Sequence, residues 1–248
     1  MPSRAGALAA AFVISFGLAW GPTRTLSAEG SRATSDPAGG PSVFGQADRS
    51  LLQLLAKARQ LLDQQRYAEA VRCLGTILDT PEDFFTPEQT GLVHRSLKSE
   101  AQELLGRMPA RGRELYEIQY GARARQMLTQ AAEAGDADGL AEVSRRFFHT
   151  AAGYEATFLL GLHHIDHGRP LAGALVLERL REASPTVDQY EPTLSVAMAT
   201  CWLRSGMPER AEEALAVLRQ SHPKALITIQ GRAVALFDGA KPPLELLA

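Results

Sequence analysis

Three histidines within five residues, His163-His164-Ile165-Asp166-His167, are the sharpest place to look for chemistry in this chain. His163 and His167 stand four apart, so on a helix both imidazoles fall on one face, as two ligands of a zinc ion would. At about 100° per residue the same helix turns Tyr154, Phe158, Gly161 and Ile165 toward a core, and His163 and His167 project nearly opposite. A third ligand is missing. No HExxH pattern and no carboxylate at a metal-site spacing accompanies the pair, which favours a solvated or packing role and leaves His163 and His167 as the only metal candidates. His94, His149 and His222 stand alone in the sequence and read as structural.

A basic stretch, Arg107, Arg111, Arg113, Arg123 and Arg125 with Tyr116 and Tyr120 between them, has the residue types that contact phosphates and bases. Glu114 and Glu117 dilute it, so a solvated helix face with intrahelical ion pairs is the expectation. Pro81-Glu82-Asp83 offers adjacent carboxylates, but sequence neighbours do not face each other across a cleft as a paired acid and base must, and a helix-ending turn explains them. Nucleophile-elbow, phosphate-loop and dinucleotide glycine patterns are all missing from the chain. The expectation is a non-enzyme, with no catalytic residue and no cofactor.

The elements that would position these side chains are helices. The chain has 248 residues, 45% hydrophobic, 22% charged and only 6% aromatic, a composition that leans toward helix and away from sandwiches. Apolar residues recur at helical spacing from Arg49 onward, broken every fifteen to twenty residues. Three breaks, Gln65, Gly168 and Gly206, align. Five residues later come Ala70, Gly173 and Ala211; nine later Leu74, Leu177 and Leu215; twelve later Ile77, Leu180 and Leu218. Seven residues earlier lie Ala58, Gly161 and Ala199, small enough for two helices to cross closely. Gly206 follows Gly168 by 38 residues, and Gly168 follows Gln65 by 103, about three tetratricopeptide periods of 34. Gly135, 33 residues before Gly168, marks one unit between them.

This pattern predicts an all-α, tetratricopeptide-like α-solenoid of helical hairpins, with helices near 48–64, 67–79, 92–106, 111–133, 137–148, 151–167, 170–183, 190–205 and 208–220. After His222-Pro223, ALITI and RAVALF around Gln230-Gly231 read as a small β-hairpin, with no polar capping helix beyond it. Cys73 and Cys201 are 128 residues apart and belong to different units, so buried free thiols are expected rather than a bridge.

The first thirty residues carry the plan of a secretory signal: Arg4, an uncharged run of thirteen residues from Leu8 to Trp20, then Gly21-Pro22 and a small residue at Ala28. Thirteen residues fall short of the roughly twenty that span a bilayer. Cleavage after Ala28 is expected, and without Arg4 and Arg24 the mature chain has 24 basic and 28 acidic residues, a net charge of −4. That excludes overall attraction to nucleic acid or anionic membrane. The domain reading is a signal peptide at 1–28, a Gly, Ser and Pro-rich linker at 29–47, helical repeats at 48–222, and a hairpin with tail at 223–248. The location expected is periplasmic or secreted.

Several strings together resemble the N-terminal helical region of exported bacterial proteins that continue into a pyrroloquinoline-quinone-binding-like (PQQ-like) β-propeller. They are SLKSEAQELLG (96–106), RELYEIQYG (113–121), EVSRRFFHTAAGYEA (142–156), LLGLHHIDHGRP (159–170), CWLRSG (201–206) and GRAVALF (231–237), spread over about residues 50–240. The resemblance implies an accessory part of a propeller protein with a redox or envelope-assembly role, and transfers no catalytic or cofactor residue. Repeats without chemistry imply instead a helical module whose partner is another protein or an adjoining β-propeller domain, without nucleic acid and without a membrane span after signal cleavage.

Overall fold

The computed structural model describes residues 49–87, 94–183, 187–229, 231–237 and 242–247. The expected signal peptide and the whole of the expected linker lie outside them. The described chain is all-α with a small C-terminal antiparallel hairpin, as the periodicity predicts. In order it comprises α1 (Arg49–Asp63), α2 (Tyr67–Asp79), β1 (Phe85–Pro87), β2 (His94–Ser96), α3 (Leu97–Gly106), α4 (Ala110–Ala134) and α5 (Ala137–Arg146). There follow α6 (Ala151–Asp166), α7 (Pro170–Ala183), a 3-10 turn (Val187–Tyr190), α8 (Thr193–Arg204), α9 (Pro208–Ser221), β3 (Leu226–Ile229), β4 (Arg232–Ala235) and α10 (Pro243–Leu247). No helix among the described residues is long and apolar enough to cross a membrane.

Four turns of one geometry build the array. Gln65, Gly135, Gly168 and Gly206 all take the left-handed conformation, with φ of 58°, 63°, 67° and 76°. At each, the following N–H bonds back five residues: Arg66 to the Leu61 carbonyl, Asp136 to Ala131, Arg169 to His164 and Met207 to Trp202. These are Schellman closures, which satisfy the last carbonyls of one helix while reversing the chain. The next helix starts on the same frame, because the N–H five residues after the break (Ala70, Leu140, Gly173, Ala211) donates to the residue just after it. That is why position five repeats in the sequence. α1 with α2, α4 with α5, α6 with α7, and α8 with α9 are the resulting hairpins.

Gln65 is the one non-glycine among the four left-handed positions, where a Cβ costs about 1 kcal/mol. Gln65→Gly is expected to stabilise the protein by about 0.5–1 kcal/mol and Gly168→Ala, with open space around its Cβ, to destabilise it by a similar amount. Urea unfolding of both variants checks this, and shifts of the same sign would contradict the shared turn.

The aligned apolar positions form the core. Ala70, Leu74, Ile77, Leu177, Leu180, Ala211, Leu215 and Leu218 are all buried, as are Ala58 and Ala199. At Gly161 an added Cβ would lie 2.3 Å from Leu177 Cδ2, so the small residue is what lets α6 and α7 cross. Three apolar clusters succeed one another: Leu51 to Tyr116, Ala124 to Leu160, and Phe148 to Leu236. α6 joins the last two, giving Ala152, Ala156 and Leu160 to the middle one and Tyr154, Phe158 and Ile165 to the C-terminal one. Cys73 and Cys201 are buried free thiols in different clusters, and burial pushes Cys201 up to about 11.

Two expectations need correcting. The 103 residues between Gln65 and Gly168 are not three equal units, since Gly135 divides them into 70 and 33 and the longer part holds α2, the β1–β2 ribbon, α3 and a 25-residue α4. The helix expected from residue 92 starts at Leu97, because Ser96 caps it by accepting the Ser99 N–H and residues 94–96 pair with 85–87. Beyond the hairpin, Leu244, Leu246 and Leu247 of α10 pack on the C-terminal cluster. The Gly135 unit escaped alignment because its ninth position is Ser144, whose hydroxyl is buried against Thr157 Oγ1 at 2.7 Å where the other units have leucine.

Candidate binding groove

His163 and His167 stack ring on ring with centroids 3.8 Å apart, and His167 Nδ1 lies 2.8 Å from the His163 carbonyl, so its N–H is donated within its own helix. Among the described residues no group of three His, Cys, Asp or Glu is placed to hold a metal ion. His164, between them, is held toward its neutral form by burial first and by the nearby His163, Arg169 and His167. His163→Ala with His167→Ala is expected to leave both metal content and helical signal unchanged. Elemental analysis of untagged protein checks it, and stoichiometric metal lost in the double variant would contradict it.

The arginine stretch is not the intrahelical ladder expected of it. Arg107 does pair with Glu103 one turn back, but Arg123 reaches Asp79 of α2 at 3.5 Å, Arg125 pairs with Glu155 of α6, and Arg113 Nη1 donates to the Met108 carbonyl at 2.6 Å. Its charges hold helices together. Tyr116 is buried, and Tyr120 is half-buried beside it with ring centroids 5.0 Å apart.

Polar groups converge elsewhere, in a groove of about 740 Å³ between α3 and α7. One wall is a stripe on α3, Ser99, Gln102, Glu103 and Gly106, at the spacing that lines up along a helix. Arg179, Glu182 and Ala183 of α7 form the other wall, Arg145, Phe148 and His149 the floor, and Asp83, Ser96 and Lys98 one end. Only a tight α5–α6 connection can deliver the floor. Thr150 caps α6 by accepting the Gly153 N–H at 2.9 Å, and a Cβ on Gly153 would sit 1.9 Å from the Phe147 carbonyl oxygen. A Cβ on Gly106 would meet His149 Cε1 at 2.9 Å, so a second glycine makes room for the imidazole.

Gln102 ties the groove together. Its backbone carbonyl faces His149 Nε2 at 2.9 Å, its side-chain oxygen accepts from Arg179 Nη2, and its side-chain nitrogen donates to the Arg145 carbonyl. A carbonyl only accepts, so His149 carries its proton on Nε2 and presents Nδ1 to the Tyr154 hydroxyl at 3.3 Å. Burial outweighs the Gln102 carbonyl and, with Arg179 and Arg113, pushes His149 down to about 4, while burial lifts Tyr154 to about 12. Both are neutral near pH 7, and both ring nitrogens of His149 are occupied.

Comparison with known proteins returns nothing. No protein-family model, no curated protein and no solved structure matches the chain.

Of the groove's cations, Lys98 is 5% exposed and caps the C-terminus of α2, donating to the Thr80 carbonyl at 2.5 Å and the Pro81 carbonyl at 3.4 Å. Burial, then Arg145, lowers its pKa. Arg145 pairs with Glu142 and Arg107 with Glu103. Arg179 Cζ lies over the Phe148 ring, 3.7 Å from its centre, and has no carboxylate partner among the described residues. Asp83, read in the sequence as part of a turn, accepts from Ser96 Oγ at 2.5 Å and the Lys98 N–H at 3.3 Å. Sequence reasoning passes over Gln102, Phe148 and Arg179 and leaves His149 isolated. The only pointer is that 96–106 and 142–156, which supply most of the lining, are among the strings carrying the family resemblance.

Proposed function

We propose that this chain is an exported, non-enzymatic helical-repeat module that contacts another protein or positions a neighbouring domain, with the α3–α7 groove as its contact surface. The observation that carries this reading is how the groove's polar groups are engaged. His149, Gln102 and Lys98 bind one another's backbone or the ends of helices, so these three shape a surface rather than standing as a free base or nucleophile. Export rests on the pattern of residues 1–28, and its direct test is the N-terminal sequence of protein recovered outside the cytoplasm, expected to begin at Glu29.

Contact is tested by placing a photoreactive amino acid at Ser99 or Glu182 in the groove, and at exposed Lys57 as control, in cells that make the protein. Discrete adducts at the two groove positions and none at Lys57 are expected. Adducts at neither groove position, or equally at all three, would overturn the reading. The second reading, a helical accessory part of a PQQ-like β-propeller protein, rests on the six strings quoted above. An in-frame continuation of the gene beyond the Ala248 codon that encodes propeller strands would favour it.

A further inference from the structure

We propose that the α3–α7 groove recognises an acidic segment of a protein partner, a carboxylate of which is taken by the Arg179 guanidinium. This rests on the contact reading above and adds the chemistry of what is bound.

Elimination among the groove's cations leaves Arg179. Lys98 is spent on two carbonyls, and Arg107 and Arg145 on carboxylates. Among the described residues Arg179 makes one hydrogen bond, to Gln102, out of the five N–H donors a guanidinium carries. It is also held in place: Phe148 supports one face, and Gln102, itself tied to Arg145 and His149, fixes one edge. A rigid, partly desolvated guanidinium with unused donors fits the planar, two-oxygen geometry of a carboxylate. Little side-chain freedom is lost on binding, because the protein has already ordered the group.

The rest of the groove selects a peptide over a lone anion. Its volume of about 740 Å³ is of the size that extended ligands fill, far more than one oxyanion needs. The Ser99 hydroxyl of α3 and the Glu182 carboxylate of α7 also line it, supplying acceptors for peptide N–H groups on both walls. Glu182 sits one turn from Arg179 on α7 and is exposed, so it opposes an incoming acid and sets a limit on affinity.

The test uses the full-length mature chain and fluorescence anisotropy of a labelled octapeptide, Gly-Ser-Glu-Glu-Asp-Glu-Gly-Ser, against its Gln and Asn analogue. Saturable binding of the acidic peptide only is expected, weakening as salt is raised. Arg179→Gln should weaken it about tenfold or more, the usual effect of removing a charge-assisted pair. Glu182→Lys, at an exposed position that does not threaten the fold, should tighten it several-fold. Equal binding of both peptides, or no change in either variant, overturns the proposal. So does Arg179-dependent binding of inorganic phosphate or free glutamate without binding of the peptide, which would make this a small-anion site. Adducts at Ser99 and Glu182 without acidic-peptide binding would sink this inference and leave the contact reading standing. Absence of both would sink the two together.

Discussion

Leu177→Asp is expected to unfold the C-terminal half of the array. Leu177 is fully buried, packs onto Gly161 across the α6–α7 crossing, and belongs to the cluster that joins α6 through α9 to the tail. A carboxylate there would be buried among apolar side chains, and burying an unpaired charge costs several kcal/mol in order of magnitude. That is comparable with the whole stability of an ordinary domain. Because stacked repeats share their core with nearest neighbours, the loss should spread to α8 and α9, while the cluster around Leu74 and Ile77 is touched least. Hydrogen exchange resolved by segment checks this: protection should vanish across α6–α9 and persist in α1–α2. Leu177→Met, which roughly conserves volume, should change stability by less than about 1.5 kcal/mol. Unchanged thermal unfolding of the Asp variant would refute the repeat register.

Acid is expected to weaken the protein through His149. Unfolded, its imidazole titrates near 6.5; folded, it is pushed down to about 4, by burial first and by Arg179 and Arg113. Between those values the unfolded chain binds a proton that the folded chain refuses. The stabilising contribution is therefore complete above about pH 6.5 and is lost as pH falls toward 4, on the order of 3 kcal/mol in all. His164 has the same sign. His149→Gln should flatten the pH dependence of the unfolding midpoint between pH 4 and 6.5 while lowering stability at pH 7. The ring-proton resonance of His149 should stay unshifted until below pH 5, and a titration midpoint above 6 would show that the imidazole is not held neutral by the groove.

Most of the helices, and the turns between the aligned pairs, are legible in the chain's local pattern. Gln65, Gly168 and Gly206 align on residue type and spacing alone because a Schellman turn fixes the distance from the left-handed residue to the next helix, so buried positions fall at constant offsets. Small Ala58, Gly161 and Ala199 are legible for the same reason, and the two thiols read as unbridged from their separation. The paired histidines show where local reading stops: spacing of four proves a shared face, and the shared face holds two stacked rings.

The groove, by contrast, has no local signature and arises from how the hairpins stack. His149 meets Gln102 across 47 residues and Arg179 meets it across 77, and neither separation is a multiple of any period in the chain. Helical periodicity records which side of a helix is buried, because burial repeats with every turn. Which polar tip meets which depends on how successive hairpins are stacked, and that angle is set by core volumes and by the α2–α4 segment that departs from the repeat. A Gln on an exposed-looking stripe and an Arg on a charged helix carry no local mark of having met.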